Sequence, residues 1–67
     1  MKVYIAGAMS GIQNANREAF FEASKMLRGF DYIVLNPAIL PDGLTQAEYM
    51  AIDIAMLQVA DSIYLLG

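Results

Sequence analysis

The sequence predicts an α/β fold: a three-layer βαβαβ unit around a parallel sheet of strand order 2-1-3. Three observations predict it. Short apolar runs of strand length alternate with two stretches of helical periodicity. The helical stretches carry their own start and stop signals. No repeat, low-complexity segment or linker interrupts the alternation.

Val3 to Ala6 is a short apolar run ending at Gly7, which reads as a buried first strand. Gly7-Ala8-Met9-Ser10-Gly11 follows as a loop whose two glycines allow backbone conformations that other residues resist. Asn14 or Asn16 can cap the helix after it, with Glu18 placed early to complement the dipole. From Ala15 to Arg28 the pattern is helical: Ala19, Phe20, Ala23, Met26 and Leu27 share one face. Arg17, Glu18, Glu22, Lys25 and Arg28 lie opposite, with Phe21 as the apolar exception among them. Gly29 stands where a left-handed C-terminal cap is expected.

Tyr32 to Leu35 reads as a second buried strand, closed by Asn36-Pro37, and Pro41-Asp42-Gly43 as a turn. Thr45-Gln46-Ala47-Glu48 matches the capping box, and Leu44 with Tyr49 fits the hydrophobic staple beside it. In the helix from Gln46 to Val59, Tyr49, Ile52, Met56 and Val59 suit packing on a sheet, while Met50, Ile54 and Leu57 form a second apolar stripe. A helix apolar nearly all round is expected to be buried nearly all round. Ser62 to Leu66 reads as a third strand, suited to the middle of a sheet.

This alternation calls for right-handed crossovers between parallel strands. It corresponds to the first half of a flavodoxin-like sheet, a single partial domain over residues 1–67. Ligands of such sheets bind beyond the carboxyl ends of the strands, where the order reverses. Here that point falls between the first and third strands, under the Gly7–Gly11 loop.

The composition sets limits on function. A chain of this size buries only about 60% of the surface it exposes unfolded. Yet 58% of its residues are apolar, against roughly 45–50% in ordinary domains even with glycine counted. Self-association into a homo-oligomer is the expected outlet. With no cysteine and no histidine, there is no disulfide framework, thiolate metal site or imidazole base. No metal or cofactor is expected. Lys2, Arg17, Lys25 and Arg28 are the four cations against seven acids, too few to neutralise a nucleic-acid backbone. The N-terminal apolar run is too short for a signal peptide or a membrane span, so a cytoplasmic location is expected.

Few residues are candidates for chemistry. The Gly7–Gly11 loop opens onto a helix N-terminus, a natural place for an anion, although it lacks the spacing of the dinucleotide fingerprint and the lysine of the P-loop. On the residues alone the plainer reading is an ordinary strand–helix connection with glycines for turning. Asp53 lies between Ile52 and Ile54 beside the apolar stripe, so its carboxylate is expected to be partly desolvated. It is then either a proton donor or ligand partner, or an acid paired elsewhere or left in solvent. Tyr4 is a strand tyrosine whose hydroxyl needs a partner. Asn36 faces the expected crevice, but Asn-Pro is also common turn chemistry. The methionines are ordinary gap fillers.

Three blocks resemble one family. They are Tyr4 to Gly11; Asn36-Pro37-Ala38 with Leu40 to Thr45; and Tyr49 to Asp53 with Ala60 to Leu66. The family is a group of small bacterial and phage proteins related to nucleoside 2-deoxyribosyltransferases. The likeness runs along essentially the whole chain. It implies a flavodoxin-like domain acting on the N-glycosidic bond of nucleosides or nucleotides, with such a small molecule as partner. In the transferases a glutamate attacks the anomeric carbon, a first-strand tyrosine orients it, and an aspartate in the helix before the third strand handles the base. By motif position the last two become Tyr4 and Asp53, and Gly7, Met9, Ser10, Gly11, Asn36 and Asp53 become the expected ligand-binding set.

Three departures from the family pattern bear on activity. The nucleophilic glutamate belongs to a segment after the third strand, and none of Glu18, Glu22 and Glu48 takes its place. The expectation is therefore binding without turnover by a lone chain. Ala8 stands where relatives often carry proline. Asp53 lies about 12 Å beyond the Thr45 cap along an ideal helix, so it meets the crevice only if the helix tilts or the pocket runs deep.

Overall fold

The computed structural model describes residues 1–9 and 13–66. Among these residues the strands are β1 (Lys2–Ala6), β2 (Ile33–Leu35) and β3 (Ser62–Leu65), and the α-helices are α1 (Arg17–Arg28) and α2 (Gln46–Val59). The sheet is parallel in the order β2-β1-β3, as the alternation predicts. Val3 pairs with Val34 on one side of β1, and Ile5 with Tyr64 on the other.

Alternation along β1 fixes the layers. Val3 and Ile5 point to one face and are buried with Phe20, Ala23 and Leu27 of α1 and with Ala38. Tyr4 points to the other face, where the charge of Asp53 on α2 reaches it. The two helices therefore cover opposite sides of the sheet. The core lies on the α1 side, with Val34, Tyr64 and Leu66 packed against its margin.

Several local expectations are corrected. The α-helix starts at Arg17 rather than Ala15, because Asn14, Ala15 and Asn16 hold left-handed φ values of 53°, 54° and 60°. Asparagine tolerates this conformation; for Ala15 it costs about 1–2 kcal/mol. Asn16 occupies the N-cap position but its side chain caps nothing. Its Nδ2 instead donates to the Ala8 carbonyl at 3.1 Å, tying the loop after β1 to the entrance of α1. Gly29 is right-handed at φ −63°. Its amide still donates to the Lys25 and Met26 carbonyls, so the helix tightens there and the left-handed residue is Asp31, at φ 63°.

On α1 the buried stripe is Phe20, Ala23, Ser24 and Leu27, an i, i+3, i+4, i+7 set. Met26 falls on its flank and is exposed, so Ser24 takes the place expected of it. β2 begins at Ile33 and is an edge strand, with Ile33 exposed rather than buried. β3 is the other edge, and Leu65 there is 75% exposed.

The capping box of α2 is complete: Glu48 N–H donates to Thr45 Oγ1 at 3.1 Å, and Thr45 N–H donates to Glu48 Oε1 at 2.8 Å. The burial of α2 is not as expected, since none of its residues is buried. Tyr49, Ile52, Asp53 and Met56 are half-buried, while Met50, Ile54, Leu57 and Val59 are exposed. Short strands give a helix room to shield only one stripe, and Val59 at the last position runs past it. Among the described residues no helix is long and apolar enough to cross a membrane.

Candidate functional site

The carboxyl ends of β1 and β2 open onto a cavity of about 210 Å³. Met9 enters it from the chain after β1, Ala15 from the left-handed stretch before α1, and Arg17 from the first position of α1. Pro37, Leu40 and Asp42 come from the segment after β2. Gln46, Tyr49 and Asp53 complete it from α2. Their spacing of three and then four residues stacks these last three on one helix face. The crevice therefore does run deep, down two turns of α2, and this brings Asp53 to it from well beyond the cap.

Asp53 is the chemically unusual member. Its Oδ1 is inaccessible to solvent and has no hydrogen-bond partner among the described residues. Desolvation raises its pKa above the ordinary aspartate value, since burial disfavours the charged form. Tyr4 lies close enough to feel that charge: burial first, and then Asp53, push its hydroxyl pKa upward. The family resemblance named both residues, and the fold places Tyr4 within electrostatic reach of Asp53.

At the rim, Arg17 Nη2 donates to Asp42 Oδ1 at 2.6 Å. The pair is asymmetric, with the arginine side chain 23% exposed and the aspartate 84%. The hydrogen bond and the opposite charge hold the Asp42 carboxyl below its ordinary range and the Arg17 guanidinium above its own. Tyr49 Oη donates to the Pro41 carbonyl at 2.5 Å, fixing the aromatic wall against the turn that carries Asp42.

The other expected ligand residues fall differently. Met9 and Asp53 line the cavity. Asn36 is not on its wall: it is 4% exposed, and its Oδ1 accepts from Ala38 N–H at 2.9 Å, capping the 3-10 turn Pro37–Ile39. This is the turn chemistry of Asn-Pro, and the bond occupies the oxygen a ligand would need. Gly7 is also off the wall. A Cβ there would come within 2.8 Å of Leu66 Cβ, so this glycine serves the close approach of β1 to the end of β3. Ser10 and Gly11 lie outside the described residues.

Arg17 and Asp42 were not among the residues singled out from the sequence, where they read as solvated face and turn. One signal was available. A cation in the first turn of a helix opposes the dipole, so Arg17 at the first position of α1 gains from an acid partner. Gln46 and Tyr49 were likewise visible as the i−7 and i−4 neighbours of Asp53.

The chain is thus of the α/β class, a parallel half-sheet with a cavity beyond its strand ends. Within that class, the family model described as "Domain of unknown function (DUF4406)" matches residues 1–67, and the chain belongs to this family. No curated protein and no solved structure matches it.

Proposed function

We propose that this chain binds a nucleoside or nucleotide in the cavity between α2 and the carboxyl ends of β1 and β2, as a relative of the nucleoside 2-deoxyribosyltransferases. The observation that carries the reading is Asp53 Oδ1, a solvent-inaccessible acceptor in the cavity lining that has no donor among the described residues. Buried polar groups in folded proteins are nearly always satisfied, so this oxygen calls for a ligand N–H or O–H. Tyr49, Pro37, Leu40 and Met9 offer apolar and aromatic wall beside it. A nucleobase combines edge donors with a flat apolar face, which matches both features. At about 210 Å³ the cavity is below the roughly 300–1,000 Å³ that encloses a drug-sized ligand. A base then fits inside while the sugar side projects to the rim.

The reading is one of capture. Asp42 is tied to Arg17, and Asp53 is the carboxylate that handles the base in the resemblance, so neither fills the role of nucleophile. An amide-resolved NMR titration with deoxyribonucleosides and their monophosphates tests it, with the same sample assayed for free base. Shifts clustered at Met9, Tyr49 and Asp53 support binding, and free base would add turnover. A folded protein with no shifts would remove the reading.

A second reading is assembly. Met50, Ile54 and Leu57 on α2, with Ile63 and Leu65 on β3, form exposed apolar surface on the α2 side of the molecule. A homo-oligomer formed through this helix and the β3 edge would cover them, and it is compatible with ligand capture.

A further inference from the structure

We infer that the ligand of this cavity carries a phosphate monoester, and that Arg17 exchanges Asp42 for it on binding. The inference rests on the nucleotide reading and narrows it from nucleosides to nucleoside monophosphates. Among the cavity-lining residues Arg17 is the cation, and among the described residues its hydrogen bond is the single Nη2 contact with Asp42 Oδ1. A guanidinium presents five donors in a planar fork, so most of its capacity to bind an oxyanion is unused by that contact.

The asymmetry of the pair decides which partner leaves. Arg17 is largely covered and part of the cavity wall, whereas Asp42 is 84% exposed on a turn. The turn passes through Gly43 at φ 98°, a conformation that glycine adopts without strain. Released from Arg17, the Asp42 carboxylate is hydrated at once. A buried acid would have had no such exit. The gain is larger on the other side: a phosphate monoester brings about −1.5 to −2 charges at neutral pH and can be gripped bidentately. Arg17 is also the first residue of α1, where the positive end of the helix dipole favours the incoming anion and disfavoured the arginine alone. Asp42 is in this view an internal stand-in for the phosphate, holding the guanidinium in place until the ligand arrives.

The test compares a deoxyribonucleoside, its monophosphate and inorganic phosphate on the wild-type chain, Arg17→Gln and Asp42→Asn, by isothermal titration calorimetry. The wild type is expected to bind the monophosphate about tenfold or more tighter than the nucleoside, as one charge-assisted bidentate contact supplies. Arg17→Gln removes the preference, so that the ratio of monophosphate to nucleoside affinity falls to about one. Asp42→Asn removes the competitor and tightens the monophosphate several-fold. Because this is a gain at an exposed position, it cannot be imitated by misfolding. Inorganic phosphate binds weakly and loses its binding in Arg17→Gln.

Equal affinity for nucleoside and monophosphate in the wild type would overturn the phosphate inference while leaving the nucleoside site standing. So would an Asp42→Asn variant that weakens the monophosphate. Binding of neither compound would overturn both readings together.

Discussion

The amide of Lys2 donates to Asp61 Oδ2 at 2.8 Å, and the amide of Asp61 donates back to the Lys2 carbonyl at 2.7 Å. The residue that opens β1 and the residue before β3 are thus joined in both directions, with the Lys2 ammonium 3.8 Å from the same carboxylate oxygen. This clamp sets where β3 begins to pair. The backbone hydrogen bond, and then the lysine charge, hold the Asp61 carboxyl below its ordinary range. With a depressed native pKa the ionised form is the stabilising one. Its contribution is complete above the unfolded value of about 3.9 and is lost as pH falls through the lower folded value. Asp61→Asn is expected to lower Tm by a few degrees at neutral pH, with the difference closing below about pH 4. Circular dichroism melts across that range check it, and a difference independent of pH would mean that shape rather than charge matters at this position.

Asp53 should show the opposite sign. Its folded pKa is raised, so the native state binds more protons than the unfolded state between the ordinary aspartate value and the folded one. The penalty is absent below that window, grows through it and is complete above. Asp53→Asn is therefore expected to stabilise the free protein at neutral pH. Asparagine keeps an oxygen in the same place but carries no charge, so the gain comes from the desolvated charge alone and should appear as a higher Tm at neutral pH that vanishes below the ordinary aspartate range. The same variant should weaken nucleoside binding. Stabilisation together with lost binding is the signature of a residue kept for a ligand; a destabilised Asp53→Asn would contradict it.

Those two aspartates mark the limit of what the sequence revealed. The strand order, the capping box at Thr45 and Glu48 and the partial desolvation of Asp53 were legible because each depends on local pattern: apolar periodicity, a four-residue signature, an acid flanked by isoleucines. The Arg17–Asp42 pair was not, since it joins a helix start to a turn that only the tertiary fold brings together. Asn36 was ambiguous because one side chain suits either a turn or a ligand, and its bond to Ala38 decided for the turn. The left-handed stretch from Asn14 to Asn16 left no readable trace at Ala15, a residue that prefers right-handed helix. The buried serine on α1 shows a further limit, as periodicity fixes which face turns inward but not where its margin falls.

Gly7 offers a test of the sheet that does not involve the cavity. An added Cβ would meet Leu66 Cβ at 2.8 Å, and that atom is attached directly to the backbone rather than being the far end of a flexible chain. Relief requires β1 and the end of β3 to separate, straining the bond from Leu66 N–H to the Ala6 carbonyl, now 2.8 Å. Gly7→Ala is expected to cost about 1–3 kcal/mol, as overpacking generally does, in chemical denaturation at fixed pH. Because Gly7 lies off the cavity wall, the folded fraction of the variant should bind nucleoside with unchanged affinity. A stable Gly7→Ala that has lost binding would instead return this glycine to the site.

Assembly is tested where α2 faces away from the sheet. Met50 and Leu57 are exposed apolar residues on that helix, and Phe21 is an exposed apolar residue on α1, the other side of the sheet. A glutamate at any of the three is solvated in a lone chain and should leave its fold intact. In an oligomer built on α2, a carboxylate at Met50 or Leu57 would be carried into an apolar interface, where an unpaired charge is strongly disfavoured. Met50→Glu and Leu57→Glu are thus expected to give a smaller particle by light scattering, while Phe21→Glu keeps the mass of the wild type. If all three leave the mass unchanged, the exposed stripe is not a contact between copies. If Phe21→Glu alone reduces it, the copies meet through α1, and the apolar surface of α2 serves some other purpose.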